Sequence, residues 1–153
     1  MSGVFGLLLV LQIFHVLFLM FHDWIHFGSL NDVKAVRAEN PGGKLLAATL
    51  ISTTPYAFGL IASIVFLGRA YPAWLMWYLW ISYGLLFYGE LNAWWIPYLF
   101  HADTKRIARY RAMFGRTHSF LPERNGIQPN SLHCILHAAT LAALFTLAAI
   151  SIR

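Results

Sequence analysis

The chain has 153 residues, of which 59% are hydrophobic and only 11% charged, against about 25% charged in a typical soluble domain. With a mean hydropathy of +0.60 and aromatics at 16%, this composition excludes an ordinary water-soluble globule and points to one membrane domain over 1–153. The net charge of +5 and the single cysteine, Cys134, exclude an intramolecular disulfide and leave anionic lipid headgroups, rather than nucleic acid, as the expected partner of the basic residues.

A bilayer core about 30 Å thick needs roughly 20 helical residues to cross it. Four apolar stretches meet that length, at 4–27, 44–68, 72–100 and 131–152. The expected fold is therefore all-α: a polytopic, four-transmembrane-helix bundle with a short basic interfacial helix between the third and fourth spans. The first stretch opens on Met1-Ser2-Gly3-Val4, without a positive n-region or a small-residue cleavage site, and reads as a retained span. The connection at 28–44 carries Asn40-Pro41-Gly42-Gly43, which breaks a helix and favours a turn. Only Gly68-Arg69-Ala70-Tyr71-Pro72 separates the second and third stretches, so these form an antiparallel hairpin. Pro55 and Pro97 lie inside spans, where a neighbour must satisfy the carbonyl that each leaves free.

The connection at 101–130 holds Lys105, Arg106, Arg109, Arg111, Arg116 and Arg124, while the opposite side has only Arg69 and Arg153. By the positive-inside rule both basic connections are cytoplasmic and both termini lie outside, with a bacterial inner membrane as the expected location. Residues 103–114 read as the interfacial helix: Asp103 can cap it, and Ile107, Tyr110 and Phe114 recur on one face. Arg106, Arg109, Arg116 and Arg124 are the expected lipid- or anion-binding residues, with Arg116 and Arg124 on a donor-rich loop able to close over the cytoplasmic end of the bundle.

Helical phase places polar residues in stripes. At 100° per residue, Gln12, His15, His22, His26 and Ser29 fall within an arc of roughly 70°, with Asp23 beside it. Asn130, His133, His137 and Thr140 share a face of the last span, and Tyr83, Glu90, Trp94 and His101 align on the third. An ionisable group facing lipid at mid-membrane costs about 2.5–3.5 kcal/mol, so the stripes must face inward.

Two His-x-x-x-His pairs, His22/His26 and His133/His137, each put two imidazoles on one helix face at a spacing that suits a transition metal ion. Heights counted at about 1.5 Å per residue set His26 level with His133 and His22 level with His137, one turn deeper. His22 and His137 would equally serve as axial ligands of haem b. Asp23 and Glu90 are the candidate acid–base residues, Asp23 beside His22 and Glu90 near the midplane. The leading expectation is thus a histidine-lined intramembrane site near the cytoplasmic face that binds a metal or haem, with a redox or oxygenase-like role. Two alternatives stand beside it: a proton-coupled carrier or channel using Glu90 and His15, and a structural or lipid-binding subunit of a larger membrane complex. Either would accommodate a homo-oligomer.

The His-x-x-x-His pairs resemble in kind the histidine boxes of membrane di-iron hydroxylases and desaturases, but the chain lacks the adjacent His-His pairs of those families. The set His15, Asp23, Glu90 and the aromatic stretch from Glu90 to Pro97 resembles the four-helix sterol-isomerase and sigma-2-receptor group, from which it departs in helix order and spacing.

Overall fold

A computed structural model describes residues 3–152. Among these the regular structure is helical: α1 (Gly3–Phe21), α2 (Val33–Glu39), α3 (Lys44–Val65), α4 (Ala73–Glu90), α5 (Ile96–Leu99), α6 (Thr104–Phe114) and α7 (Ser131–Ser151). A single isolated bridge, Arg124 with Ile127, is the one trace of β pairing among the described residues. Three helices, α1, α3 and α7, are long and apolar enough to cross a membrane. The fourth long helix, α4, is rich in Trp and Tyr and continues through a π-turn, Leu91–Trp95, into α5.

The long helices pack α1 against α3 and α7, and α4 against α3 and α7. Their outer surfaces are apolar: Val10, Ile51, Ile61, Trp77, Leu85 and Phe145 are all exposed. The interior combines Leu8, Leu75, Leu79 and Leu147 with buried Gln12, His15, Ser63, Glu90, His137 and Thr140. Apolar outside and polar inside is the arrangement a lipid solvent demands.

Tyrosines stitch α3 to α4. The Tyr56 hydroxyl donates to the Ser82 carbonyl at 3.1 Å and the Tyr78 hydroxyl to the Pro55 carbonyl at 2.8 Å. Gly59 lets the two helices approach, since a Cβ there would lie 3.0 Å from Leu79 Cδ2.

The first helix is shorter than the apolar run suggests. It ends at Phe21, and Asn31 gathers the chain that follows: its amide donates to the carbonyls of His22 (2.6 Å) and Ile25 (2.7 Å) while its oxygen accepts from the Phe27 amide (2.7 Å). His26 therefore leaves the helix and becomes exposed. The connection that follows also contains a helix, α2, capped by Asp32.

The π-turn follows from Pro97. Proline has no N–H for the Ala93 carbonyl, and the Ile96 amide bonds the Leu91 carbonyl instead of that of Asn92, so both carbonyls lack an α-helical partner. Two side chains of α6 take its place: Arg106 Nη1 donates to the Asn92 carbonyl at 3.0 Å and the Tyr110 hydroxyl to the Ala93 carbonyl at 2.7 Å. Asp103 caps α6 as the sequence suggests, accepting from the Arg106 amide at 2.9 Å, and that bond holds its carboxyl below the usual carboxylate range. The apolar face of α6 is covered by protein, with the Tyr110 and Phe114 rings 4.8 and 5.0 Å from Trp94.

The 115–130 connection folds over the same end of the molecule. Asn125 and Gly126 both take positive φ, 53° and 75°, which closes a two-residue turn between Arg124 and Ile127. A side chain at Gly126 would meet Ile107 at 2.9 Å. The turn drives Ile127, fully buried, into a cluster with Trp94, Tyr98 and Ala102. Arg116 pairs with Asp32 at 2.9 Å, and the His118 amide donates to the Ser29 carbonyl, tying this connection to the one after α1.

Removing the Tyr110 hydroxyl leaves a shielded carbonyl unpaired, which costs about 1–3 kcal/mol. Tyr110→Phe should therefore lower stability by about that amount in reversible SDS unfolding, with helix content unchanged; a variant as stable as wild type would show that Ala93 does not depend on this bond.

Candidate functional site

Three helices meet at one hydroxyl. Thr140 Oγ1 on α7 lies 2.7 Å from Glu90 Oε1 on α4 and 3.0 Å from His15 Nε2 on α1. All three residues are at least nine-tenths buried. The His15 Nδ1 sits 2.6 Å from the Leu11 carbonyl, and a carbonyl only accepts, so Nδ1 carries a hydrogen. In a neutral ring Nε2 then presents a lone pair.

A threonine hydroxyl has one hydrogen to donate. It cannot donate to both a carboxylate and a neutral imidazole, so both short contacts are satisfied only when the chain holds one further proton. With that proton on Glu90, the acid donates to Thr140 and Thr140 donates to His15. With it on His15, the imidazolium donates to Thr140 and Thr140 to the carboxylate. The two forms differ by one proton moved at each end of the hydroxyl, which is the arrangement that a proton relay would need; the Thr140 hydroxyl also lies 3.1 Å from the Leu136 carbonyl. Glu90 Oε2 is buried with no partner, as are Tyr83 Oη, Thr53 Oγ1 and Gln12 Oε1. Tyr83 packs edge-on against His15, with ring centroids 5.0 Å apart.

Glu90 also lines a cavity of about 530 Å³, whose inner wall includes His22, Tyr56, Trp94, His133 and His137. Its mouth lies between α3 and α4, where Ile51 and Leu85 are 75% and 64% exposed on the apolar outer surface. Pro55 lines the same wall, and because it lacks an N–H the Ile51 carbonyl has no i+4 donor.

The imidazoles on this wall have defined polarity. His133 Nδ1 is 2.6 Å from Asn130 Oδ1, which already accepts from the His133 backbone amide, so Nδ1 is the donor and Nε2 keeps its lone pair. His137 Nδ1 accepts from Trp95 Nε1 at 3.1 Å, so its Nε2 carries the hydrogen. His133 thus brings an acceptor nitrogen and His137 a donor N–H to the wall that also carries the Glu90 carboxyl.

The two histidine pairs do not stack level with level. His22, whose amide still donates to the Phe18 carbonyl as in the helix, lies beside His133, with ring centroids 5.7 Å apart, rather than level with His137. His26 faces a different surface with Asp32 and Arg116. Among the described residues no group of three or more His, Cys, Asp or Glu side chains is arranged to hold a metal ion. Asp23 does meet His22, at 3.3 Å from Nε2, while His22 Nδ1 donates to the Phe18 carbonyl. His101 is exposed beyond α5.

The basic residues divide by role. Arg106 caps the π-turn, Arg116 holds Asp32, and Arg124 flanks the Asn125-Gly126 turn. Arg109 remains exposed with a single bond to Asn40, at 3.3 Å.

Sequence reasoning placed Thr140 on the polar face of its helix without assigning it a role. The signal that could have found it is its i+3 spacing from His137, combined with a carboxylate and a histidine at similar depth on two other spans. No family model, curated protein or solved structure matches the chain.

Thr140→Val keeps the shape and removes the hydroxyl. It should destabilise the protein by about 1–3 kcal/mol in SDS unfolding, because two buried groups lose their partner. Thr146→Val, which removes only a bond to the Ala142 carbonyl, should cost about 1 kcal/mol or less. Equal effects of the two substitutions would contradict the relay.

Proposed function

We propose that this chain is an integral membrane protein of four spans that takes a bilayer-dissolved small molecule into the cavity between α3 and α4 and exchanges a proton with it. In this reading α4, the π-turn and α5 together form the third span, and both termini lie outside. The end bearing α6 and the 115–130 connection then faces the cytoplasm, with the basic face of α6 at the interface.

One observation supports the reading: the hydrogen-bonded chain Glu90–Thr140–His15 ends at a cavity that opens beside the exposed apolar residues Ile51 and Leu85. A cavity of this size falls within the range of about 300–1,000 Å³ usual for small-molecule sites. His133 Nε2 and the His137 Nε2–H favour a molecule whose polar group both accepts and donates, such as a hydroxyl beside a carbonyl. Glu90 would supply or take the proton, and His15 would hold it between events.

Gly89 lines the cavity, and a Cβ there meets nothing within 4 Å. Gly89→Leu should therefore fold and add bulk at the cavity wall. Organic extraction and mass spectrometry of purified protein should find a lipophilic molecule retained by wild type and lost from this variant; equal retention would overturn the assignment of the cavity. Infrared pH-difference spectra should show a protonated carboxyl or an imidazolium signal that Glu90→Gln removes, and a relay empty of protons would overturn its role.

A proton-coupled carrier is the second reading, favoured by the continuation of buried polar groups past His15. Gln12 Nε2 donates to Ser63 Oγ at 2.9 Å, and Tyr71, on the opposite connection, donates to the Ser63 carbonyl at 3.4 Å. In proteoliposomes this reading expects proton flux that Glu90→Gln abolishes; flux that survives the substitution would rule it out.

A further inference from the structure

A second groove adjoins the cavity. It has a volume of about 490 Å³ and lies between the π-turn and the exposed side of α6, walled by Asn92, Lys105, Arg106 and Arg109. Gly89 and Ala93 line both this groove and the cavity, so one short ridge of small residues separates them. At Gly89 that ridge carries no side chain, and the space beside it is open.

The groove is positively charged without an internal counterweight. Asp103 lies beside Arg106, 3.8 Å from Nε, and Arg106 Nη1 is committed to the Asn92 carbonyl. Among the described residues Lys105 and Arg109 form no ion pair, although Arg111 and Arg116 on the same side do, with Glu123 and Asp32. The capping of the π-turn by Arg106 and Tyr110 holds α6 in register with it, which fixes the distance from these free cations to the cavity.

We propose that the groove binds the anionic head of an amphiphile whose apolar part lies in the cavity, with Lys105 and Arg109 as the charge-reading residues. This rests on the reading of the cavity as a small-molecule site and names the class of molecule: one negatively charged head, phosphate or carboxylate, joined to an apolar body. The two spaces share the wall formed by Gly89 and Ala93, which argues for a single occupant that reaches across it with both parts. A free anion would use the groove alone, and a neutral lipid the cavity alone. The geometry also assigns a reason for the basic residues to stand where they do, since Arg116 and Arg124 serve the folding of the connections and lie outside this groove.

The test uses full-length protein in phosphatidylcholine nanodiscs, titrated with phosphatidylglycerol carrying a fluorescent acyl chain, with the matching phosphatidylcholine, and with glycerol phosphate as the free headgroup. Phosphatidylglycerol should bind about tenfold or more tighter than phosphatidylcholine, and Lys105→Ala with Arg109→Ala should remove that preference while leaving phosphatidylcholine binding unchanged. The charge-keeping pair Lys105→Arg with Arg109→Lys should retain the preference and serves as the control for folding. Persistence of the preference in the alanine pair would overturn the proposal. Glycerol phosphate competing as tightly as the lipid would overturn the amphiphile in favour of a free anion. Gly89→Leu separates the two readings: it should weaken both lipids, and if it affects neither while the alanine pair still acts, the cavity reading fails and the charged groove stands alone.

Discussion

A hydroxyl group has one proton to give, and in this protein two buried groups on different helices require it. The Thr140 hydroxyl sits, fully buried, between Glu90 and His15. Leaving a buried carboxylate or imidazole unpaired is costly in any interior and more so in a lipid solvent. The relative heights of α1, α4 and α7 are therefore tied to one another through a single side chain. Around that point Leu8, Leu79, Tyr83 and Leu147 close the packing to near-zero exposure, and the apolar outer faces complete an architecture with its polar groups inside.

The same accounting of backbone partners shapes the end of the molecule that carries α6. Pro97 and the shifted Ile96 amide together leave the Ala93 and Asn92 carbonyls without helical donors, and the chain answers with two donors from α6, Tyr110 and Arg106. That arrangement does more than repair a helix. It places α6 against the π-turn, brings Lys105 and Arg109 beside Gly89 and Ala93, and sets a charged groove against an apolar cavity. π-turns are rare and occur often where a helix must present groups to a ligand; here the turn begins one residue after Glu90.

The histidines show how far a sequence can be read and where reading stops. The His-x-x-x-His spacing implied two imidazoles on each of two faces, and for His133 and His137 that holds: both line the cavity, with ring centroids 6.3 Å apart. For His22 and His26 it fails, because the helix that would have carried both ends at Phe21 and Asn31 collects the carbonyls beyond it. Nothing in the spacing of apolar residues reveals that a side chain nine positions away will compete with the helix for those carbonyls. The loss of that turn takes His26 off the face, while His22 meets His133 because of how α1 and α7 are set against each other. In the 103–114 segment the cap and the amphipathic face were legible, but not that the apolar face packs on Trp94, since the segment's docking onto the π-turn is a long-range fact.

The amino-acid sequence by itself determined that the chain is helical and which face of its long helices is polar, because period and hydrophobicity are local properties; of the four apolar stretches read as spans, three form helices long and apolar enough to cross a membrane. It also marked Glu90 and His15 as residues that need a partner. Only the tertiary structure decided that Thr140 is the partner of both, that His22 meets His133, and that the cavity has its mouth between α3 and α4. Helical phase says where around an axis a side chain points. How high it stands against its neighbours depends on where each helix starts and ends and on which carbonyls other parts of the chain must satisfy.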